Sequence, residues 1–386
     1  MFCMRRPGPC VLALALVPSL RAQVFVVDAM NRAGTHYTDM PAAIAAVPEG
    51  ATLLVRAGAY SPSRIDRKAL SVVGDGTPSL VLEVARTSAM QPVVLRWLGA
   101  VVGSLGLRIV DCQGSVVVEN CVGRSWSVER SRNVQILRCS TYRDLGVPAT
   151  LTAVDSTLLI ADSTLSGDGG GFFQGTGGLG LTRSQAVTIG GSLIGSRGRA
   201  PVITCDAWLG CVPLQSGLYA TSGAALIDSV LTSFGTTILG GEGEPGRVIP
   251  CWTTCNNPGA PAAPPISLAG ASSVSSQRDY ALGHLTGTPA RGGRVDFVYS
   301  GSEPGAPPGV LVFGDTAQLT SSPLVRGRLL SSFHLVFGPY ALSSPFRLPM
   351  DVLTSSELGR LYFGQFWVLG ANGPLASSPF SFSVVR

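Results

Sequence analysis

The stretch SVVVENCVG at positions 115–123 sets two apolar anchors, Val116 and Val118, two residues apart, and closes on a small residue. Four later stretches repeat the arrangement: NVQILRCST (133–141), TLLIADSTL (157–165), AVTIGGSLI (186–194) and AALIDSVL (224–231). Their anchors are Val134/Ile136, Leu158/Ile160, Val187/Ile189 and Ala225/Ile227. Alternation of this kind is that of a half-buried strand. Three residues before the first anchor, Ser131, Asp155, Ser184 and Ser222 supply a short polar residue in four of the five. Anchor separations grow along the chain from 18 to 24, 29 and 38 residues. A period that changes only by growing implies a coil of fixed cross-section with insertions at its turns. One such coil cannot bury its own apolar face, so stacked copies must share a long core, with neighbouring strands ~4.8 Å apart.

This pattern predicts a parallel β-helix whose strands at 116–121, 134–139, 158–163 and 187–192 are parallel neighbours. Val118, Ile136, Ile160 and Ile189 should form one buried column. Cys121, Cys139, Ser163 and Ser192 fall at one repeated place and read as a stack of small residues, the thiols acting as buried hydrophobes. The added residues, chiefly 167–180 and 198–217, must bulge from one flank.

A stacked coil has an exposed first turn, an edge that needs covering. Ahead of the repeats, Thr38 or Asp39 can cap a short helix with Ile44 and Val47 on its apolar face. It would lie over a first coil built from 52–55, Ile65 and 70–73. The run AAIAAVPEGATLLVRAGAY (42–60) followed by LSVVGDG (70–76) resembles the entry region of the pectin-lyase-like, right-handed parallel β-helix superfamily. The resemblance is close over 37–76 and looser to about Leu231. It implies the fold and no particular reaction. A Pro-rich stretch, NNPGAPAAPP (256–265), reads as an extended linker, and short strands with regular turn signals follow it. The segment 346–385 resembles the terminal β-domain of large secreted β-helix families of GC-rich bacteria. The chain is thus expected to be all-β, divided into a signal peptide (1–22), a right-handed parallel β-helix with a capping helix (23–250), a Cys/Pro-rich linker (251–270) and an antiparallel β-sandwich-like domain (271–386).

The signal reading rests on Arg5 and Arg6, the apolar run CVLALALV (10–17) and a short cleavage region ending at Ala22. The apolar run is far shorter than the ~20 residues of a membrane span. Without the signal, 25 basic residues face 23 acidic ones, a charge of +2 that gives no case for nucleic acid. Export permits disulfides. Cys205 and Cys211 bracket DAWLG, and Cys251 and Cys255 bracket WTT. Disulfides of undefined pairing suit these gaps better than a four-cysteine zinc site, whose ribbon spacing differs.

Catalytic motifs are sparse. Glycoside hydrolysis by inversion needs two carboxylates flanking a water, and the Asp-Asp and Gly-His-Gly motifs of polygalacturonase-type β-helices do not occur. The three histidines, His36, His284 and His334, all lie outside the repeats. For lyase chemistry, a basic residue with calcium on stacked carboxylates would suffice, and Glu119, Arg138 and Asp162 are the candidates. In repeat register Asn120, Arg138 and Asp162 share one column, Glu119 and Asp228 another. Solvated turn residues explain the same columns. Phe172 and Phe173 in GDGGGFFQGTGG (167–178), with Trp208 in the first Cys loop, could stack on sugar rings or pack against the coil. The expectation is a secreted, cell-surface or periplasmic protein with a structural or glycan-binding role, needing no cofactor. Its partner would be an extracellular polysaccharide or a cell-envelope component. The alternative is a divergent polysaccharide lyase or hydrolase, with calcium if a lyase.

Overall fold

The computed structural model describes residues 23–383 apart from 100–104, 143–148, 168–176, 197–201, 207–209, 216–219, 243–246, 250–254, 258–261, 278–280, 287–293, 302–304, 315–318, 323–324, 331–334, 343, 352–360, 371–372 and 378. The signal-peptide reading of 1–22 lies outside the described residues.

Short strands return, coil after coil, to three parallel ladders. The first runs Val24–Val27, Thr52–Ala59, 70–75, Val93–Arg96, Val116–Glu119, Val134–Leu137, Thr157–Ala161, Gln185–Ile189, Val230–Phe234 and Ser273–Gln277. A second, shorter ladder runs 122–124, Ser140–Tyr142, Thr164–Ser166, Ser192–Ile194 and Thr237–Leu239. The third starts at Ser63–Asp66 and passes through 80–85, Leu105–Val110, 126–129, Ala149–Val154, Gly177–Thr182 and Ala224–Ile227 to Ile266–Ala269. Every pairing in these ladders is parallel, an arrangement compatible with a parallel β-helix.

The expected neighbours at 116, 134, 158 and 187 do stack in parallel, with one shift of register. Val118 pairs with Ile136 and Ile136 with Ile160, but Ile160 pairs with Thr188. Ile189 is thereby on the opposite face, because a one-residue slip exchanges the two faces of a strand. The fifth repeat is also corrected. Ala224–Ile227 belongs to the third ladder, and the first-ladder rung after Gln185–Ile189 is Val230–Phe234. The first rung is Val24–Val27 rather than the strand at 52. At the other end the ladders run on to Gln277, past the stretch expected to be a linker.

Chain direction changes at two columns of left-handed residues. Between the first and second ladders stand Trp97, Asn120, Arg138, Asp162, Gly190 and Gly235, all with φ between 47° and 61°. Between the third and first stand Arg67, Arg86, Asp111, Arg130, Asp155, Arg183, Asp228 and Gly270. Asn, Asp and Gly accept this conformation most readily, yet four arginines stand here too. Arg67 and Arg86 are neighbours at the front, where Arg86 pairs with Asp66 of the adjoining strand. From Arg86 to Asp228 the signs alternate, so that opposite charges lie one strand spacing apart. Arg130 meets Asp111 at 2.6 Å and Arg183 meets Asp155 at 2.7 Å. Each arginine holds its aspartate's carboxyl below the usual range. These pairs are half-exposed, so they contribute little to stability; their work is to remove a repulsion.

Immediately inside that column runs a hydroxyl ladder. The backbone N–H of Cys112 donates to Ser131 Oγ, Ser131 to Ser156, Ser156 to Ser184, Ser184 to Ser229 and Ser229 to Ser272, all at 3.0–3.1 Å. Ser131, Ser156, Ser184 and Ser229 each donate in turn to the carbonyl two residues earlier, at 2.7–2.8 Å. Buried corner amides are satisfied in this way by side-chain hydroxyls. Ser156→Ala strands the Ser131 amide and should cost about 1–3 kcal/mol in urea unfolding; a loss within error of zero would show that water replaces the rung. The second small-residue stack keeps Cys121, Cys139 and Ser163, but its next member is Gly191, where a Cβ would lie 2.2 Å from the Ser163 carbonyl oxygen. Ser192 lies one place on, outside, beside Thr164.

The helix Met40–Ala46 is capped by Asp39, whose carboxylate accepts from the Met40 amide at 2.9 Å and the Ser61 amide at 3.0 Å. Met40, Ala43, Ile44 and Val47 join the same apolar core as Leu53, Val55 and Ile65. Lys68, the only lysine of the chain, donates to the carbonyls of Ile44 and Val47 and closes the helix end.

Beyond Gln277 all strand pairs are antiparallel except one residue pair, Arg326 with Leu375. One sheet joins Ala281–Thr286, Arg294–Gly301 and Phe346–Asp351; the other is built around Pro308–Gly314 and Leu361–Gly370. Phe297 and Tyr299 of the first meet Phe313, Phe366 and Phe380 of the second in one core. The second sheet also packs on the outside of the first parallel ladder. Val312 and Phe363 cluster there with Val94, Val117, Leu137, Leu159, Ile189 and Phe234. The strands expected to be half-buried are therefore buried on both faces, as in Val93–Arg96, Val116–Glu119 and Val134–Leu137.

Candidate functional site

The covered ladder decides the fate of the candidate catalytic residues. Glu119 follows Val118 and points the same way as Val117, away from the inner core; Val117 packs with Val312 and Phe363 of the C-terminal sheets. Arg96 Nε donates to Glu119 Oε2 at 2.7 Å, and the Arg138 guanidinium donates to Oε1. Arg96 is 3% exposed and Glu119 equally enclosed. Burial pushes the Arg96 guanidinium down from its ordinary value, and the Glu119 carboxylate opposes that shift. Both carboxylate oxygens are thus occupied by guanidinium groups in a site closed to solvent.

Asp162 is brought into the same corner column as Asn120 and Arg138, as the spacing implied, but it is exposed and does not join the ion cluster. Asp228 does not share a column with Glu119. It belongs to the other corner, where its Oδ1 accepts from the Ala271 amide at 2.9 Å. Glu119, Arg138 and Asp162 therefore do not converge on one open site.

Phe172, Phe173 and Trp208 lie outside the described residues, as does Cys251. Cys205 and Cys211 stand opposite each other in an antiparallel hairpin formed by Val202–Asp206 and Gly210–Gln215, and Cys255 opens a strand paired with Arg247–Ile249. Their side chains lie outside the described residues, so the expected disulfides do too. Cys112, Cys121 and Cys139 are buried and unbridged. Burial holds the Cys121 thiol well above its ordinary range, which keeps it protonated.

An accessible site does form along the second ladder. In register, Ser140, Thr164, Ser192 and Thr237 make an outward column of hydroxyls, and Ser192 Oγ donates to Thr164 Oγ1 at 3.3 Å. Beside it Tyr142 lies under the Arg124 guanidinium, 5.8 Å from ring centroid to carbon. The adjoining corner carries Asn120 and Asp162, and at its front end Trp97. Trp97 is 44% exposed with φ +49°, a conformation that disfavours a bulky side chain. At Gly190, in the same corner, the side chain of Leu282 from the C-terminal part comes so near that a Cβ would lie 3.3 Å from it. At the opposite margin the chain passes from the second ladder to the third between Tyr142 and Ala149, between Ser166 and Gly177 and between Ile194 and Ala224. Trp97 was not among the sequence candidates, because the coil at 93–97 lies ahead of the five repeats counted. Extending the repeat one coil forward aligns VVLRW with VVVEN and places an aromatic where later coils have Asn, Arg and Asp.

Among the described residues no cluster of three or more His, Cys, Asp or Glu is placed to hold a metal ion. No described helix is long and apolar enough to cross a membrane. Compared with protein-family models, with curated proteins and with solved structures, the chain matches none of them.

Proposed function

We propose that this chain is a secreted or cell-surface right-handed parallel β-helix, capped by the helix Met40–Ala46 and carrying a β-sandwich-like C-terminal domain, that binds an extracellular glycan without cleaving it. The observation that carries the reading is the exposed Trp97, in a backbone conformation costly for its size, at the front of the corner that runs alongside the hydroxyl column Ser140–Thr164–Ser192–Thr237, two coils ahead of Ser140. Strained residues concentrate where ligands are held. An indole offers an apolar face to a sugar ring, and hydroxyls repeating every strand spacing offer donors and acceptors along a polymer. The ion-paired, enclosed Glu119 argues against the alternative of a lyase or hydrolase using Glu119 and Arg138, since neither carboxylate oxygen is free to take a proton from a substrate.

The test is a glycan array followed by calorimetry on the best binder. Trp97→Ala should weaken binding by about 0.5–1.5 kcal/mol, with Tyr142→Ala a second, smaller loss and the melting temperature of both unchanged. Depolymerisation of acidic polysaccharides, with or without calcium, should yield no product. A wild-type protein that binds no glycan, or one that releases oligosaccharides, would overturn the proposal.

A further inference from the structure

The two ends of the parallel ladders are finished differently. At the front, the helix Met40–Ala46 packs on the core. There the enclosed Asp28 carboxylate binds Arg32 at 2.7 Å and Arg56 at 3.0 Å. At the rear, the last rungs are Ile266–Ala269 and Ser273–Gln277, and neither pairs with a further strand among the described residues. Leu268 stacks in register on Leu226, which is 1% exposed, yet Leu268 itself is 53% exposed. Ile266, Val274 and Ile238 are only partly covered, and Ser276, in register with the buried Ser233, is exposed. Among the described residues no further rung covers the end of the core column.

Exposed edges are normally defended by charge, proline or a bulge. Here no residue from 262 to 277, nor from 229 to 241, is charged, although the preceding corner positions alternate Arg and Asp from Arg86 to Asp228. The corner residue of the last coil is Gly270, and the Asp228 carboxylate of the coil before it is turned onto the Ala271 amide. Two last rungs without charge of their own can meet a second copy without setting like charges strand against strand, and a two-fold contact requires the same surface on both partners.

We infer that the rear end is a self-association surface, in which a second copy of this chain stacks end to end about a two-fold axis. Ser273–Gln277 then pairs antiparallel with its counterpart, and Leu268, Ile266 and Val274 of the two copies cover one another. The contact closes on itself, so the product is a dimer and not a filament.

Sedimentation equilibrium over a range of concentrations should show a monomer–dimer equilibrium. Leu268→Lys, at a position already half-exposed, should weaken association at least about 30-fold, the order of losing an interface anchor. Ser276→Lys should act likewise, both variants keeping the wild-type melting temperature of the monomer. Val336→Lys, on the exposed face of the C-terminal sheets, should leave the dimer intact. A monomer at all concentrations, open-ended polymers, or a dimer insensitive to both lysines would overturn the inference. So would slow amide exchange of 266–277 in the dilute monomer, which would show that the chain covers this end itself.

Discussion

Replacing Glu119 by Gln is expected to destabilise the protein by about 3–5 kcal/mol, the cost of breaking a buried ion pair by removing one partner. The carboxylate lies between two guanidinium groups, Arg96 at 2.7 Å and Arg138 on the other oxygen, and is 3% exposed. Glutamine keeps the shape and one acceptor oxygen but removes the negative charge that both guanidinium groups face. Urea unfolding monitored by circular dichroism measures the loss. A change below about 1 kcal/mol would mean that the cluster is hydrated like a surface pair. The same variant separates structure from catalysis. A catalytic Glu119 would lose turnover with stability retained, the usual behaviour of a residue held under strain for function. The geometry predicts the reverse.

The parallel stack was legible because its constraint repeats. Each coil must supply apolar residues two apart, and the anchors at 116, 134 and 158 occupy equivalent register positions. The reading failed where a second constraint imitates the first. In AVTIGG, Val187 and Ile189 are the large apolar residues, and alternation assigns them inward. They instead lie on the outer face, Ile189 in contact with the C-terminal part, and the smaller Ala186 and Thr188 point in. Hydrophobicity reports burial and not which body does the burying. AALID was misplaced for a related reason: like LLIAD it ends in an Asp at a left-handed corner, but at the other corner of the coil. The covering of Val117, which faces the same way as Glu119, was hidden similarly, since it depends on Val312 and Phe363, some 200 positions later. Trp97 was accessible to the repeat argument and needed only one more coil to be aligned.

Trp126→Ala should be the most damaging single truncation in the stack, at about 3–5 kcal/mol. Trp126 is 1% exposed and sits mid-column on the inner side of the third ladder. The column reads Leu82, Leu107, Trp126, Leu151 and Leu179 in strict register. Its removal leaves a cavity that parallel strands cannot close, because the spacing between rungs is fixed by backbone hydrogen bonds. In an isolated stack, where each coil touches only its neighbours, such a gap would uncouple the coils before it from those after it and split unfolding into two steps. Here the C-terminal sheets bridge the weak point. Their contact cluster reaches from Val94, ahead of Trp126, to Phe234, well beyond it. Thermal unfolding of the variant should therefore remain a single transition, shifted down in temperature, with calorimetric and van't Hoff enthalpies equal. Two resolved transitions would show that the contact between C-terminal sheets and ladder is too weak to couple the coils.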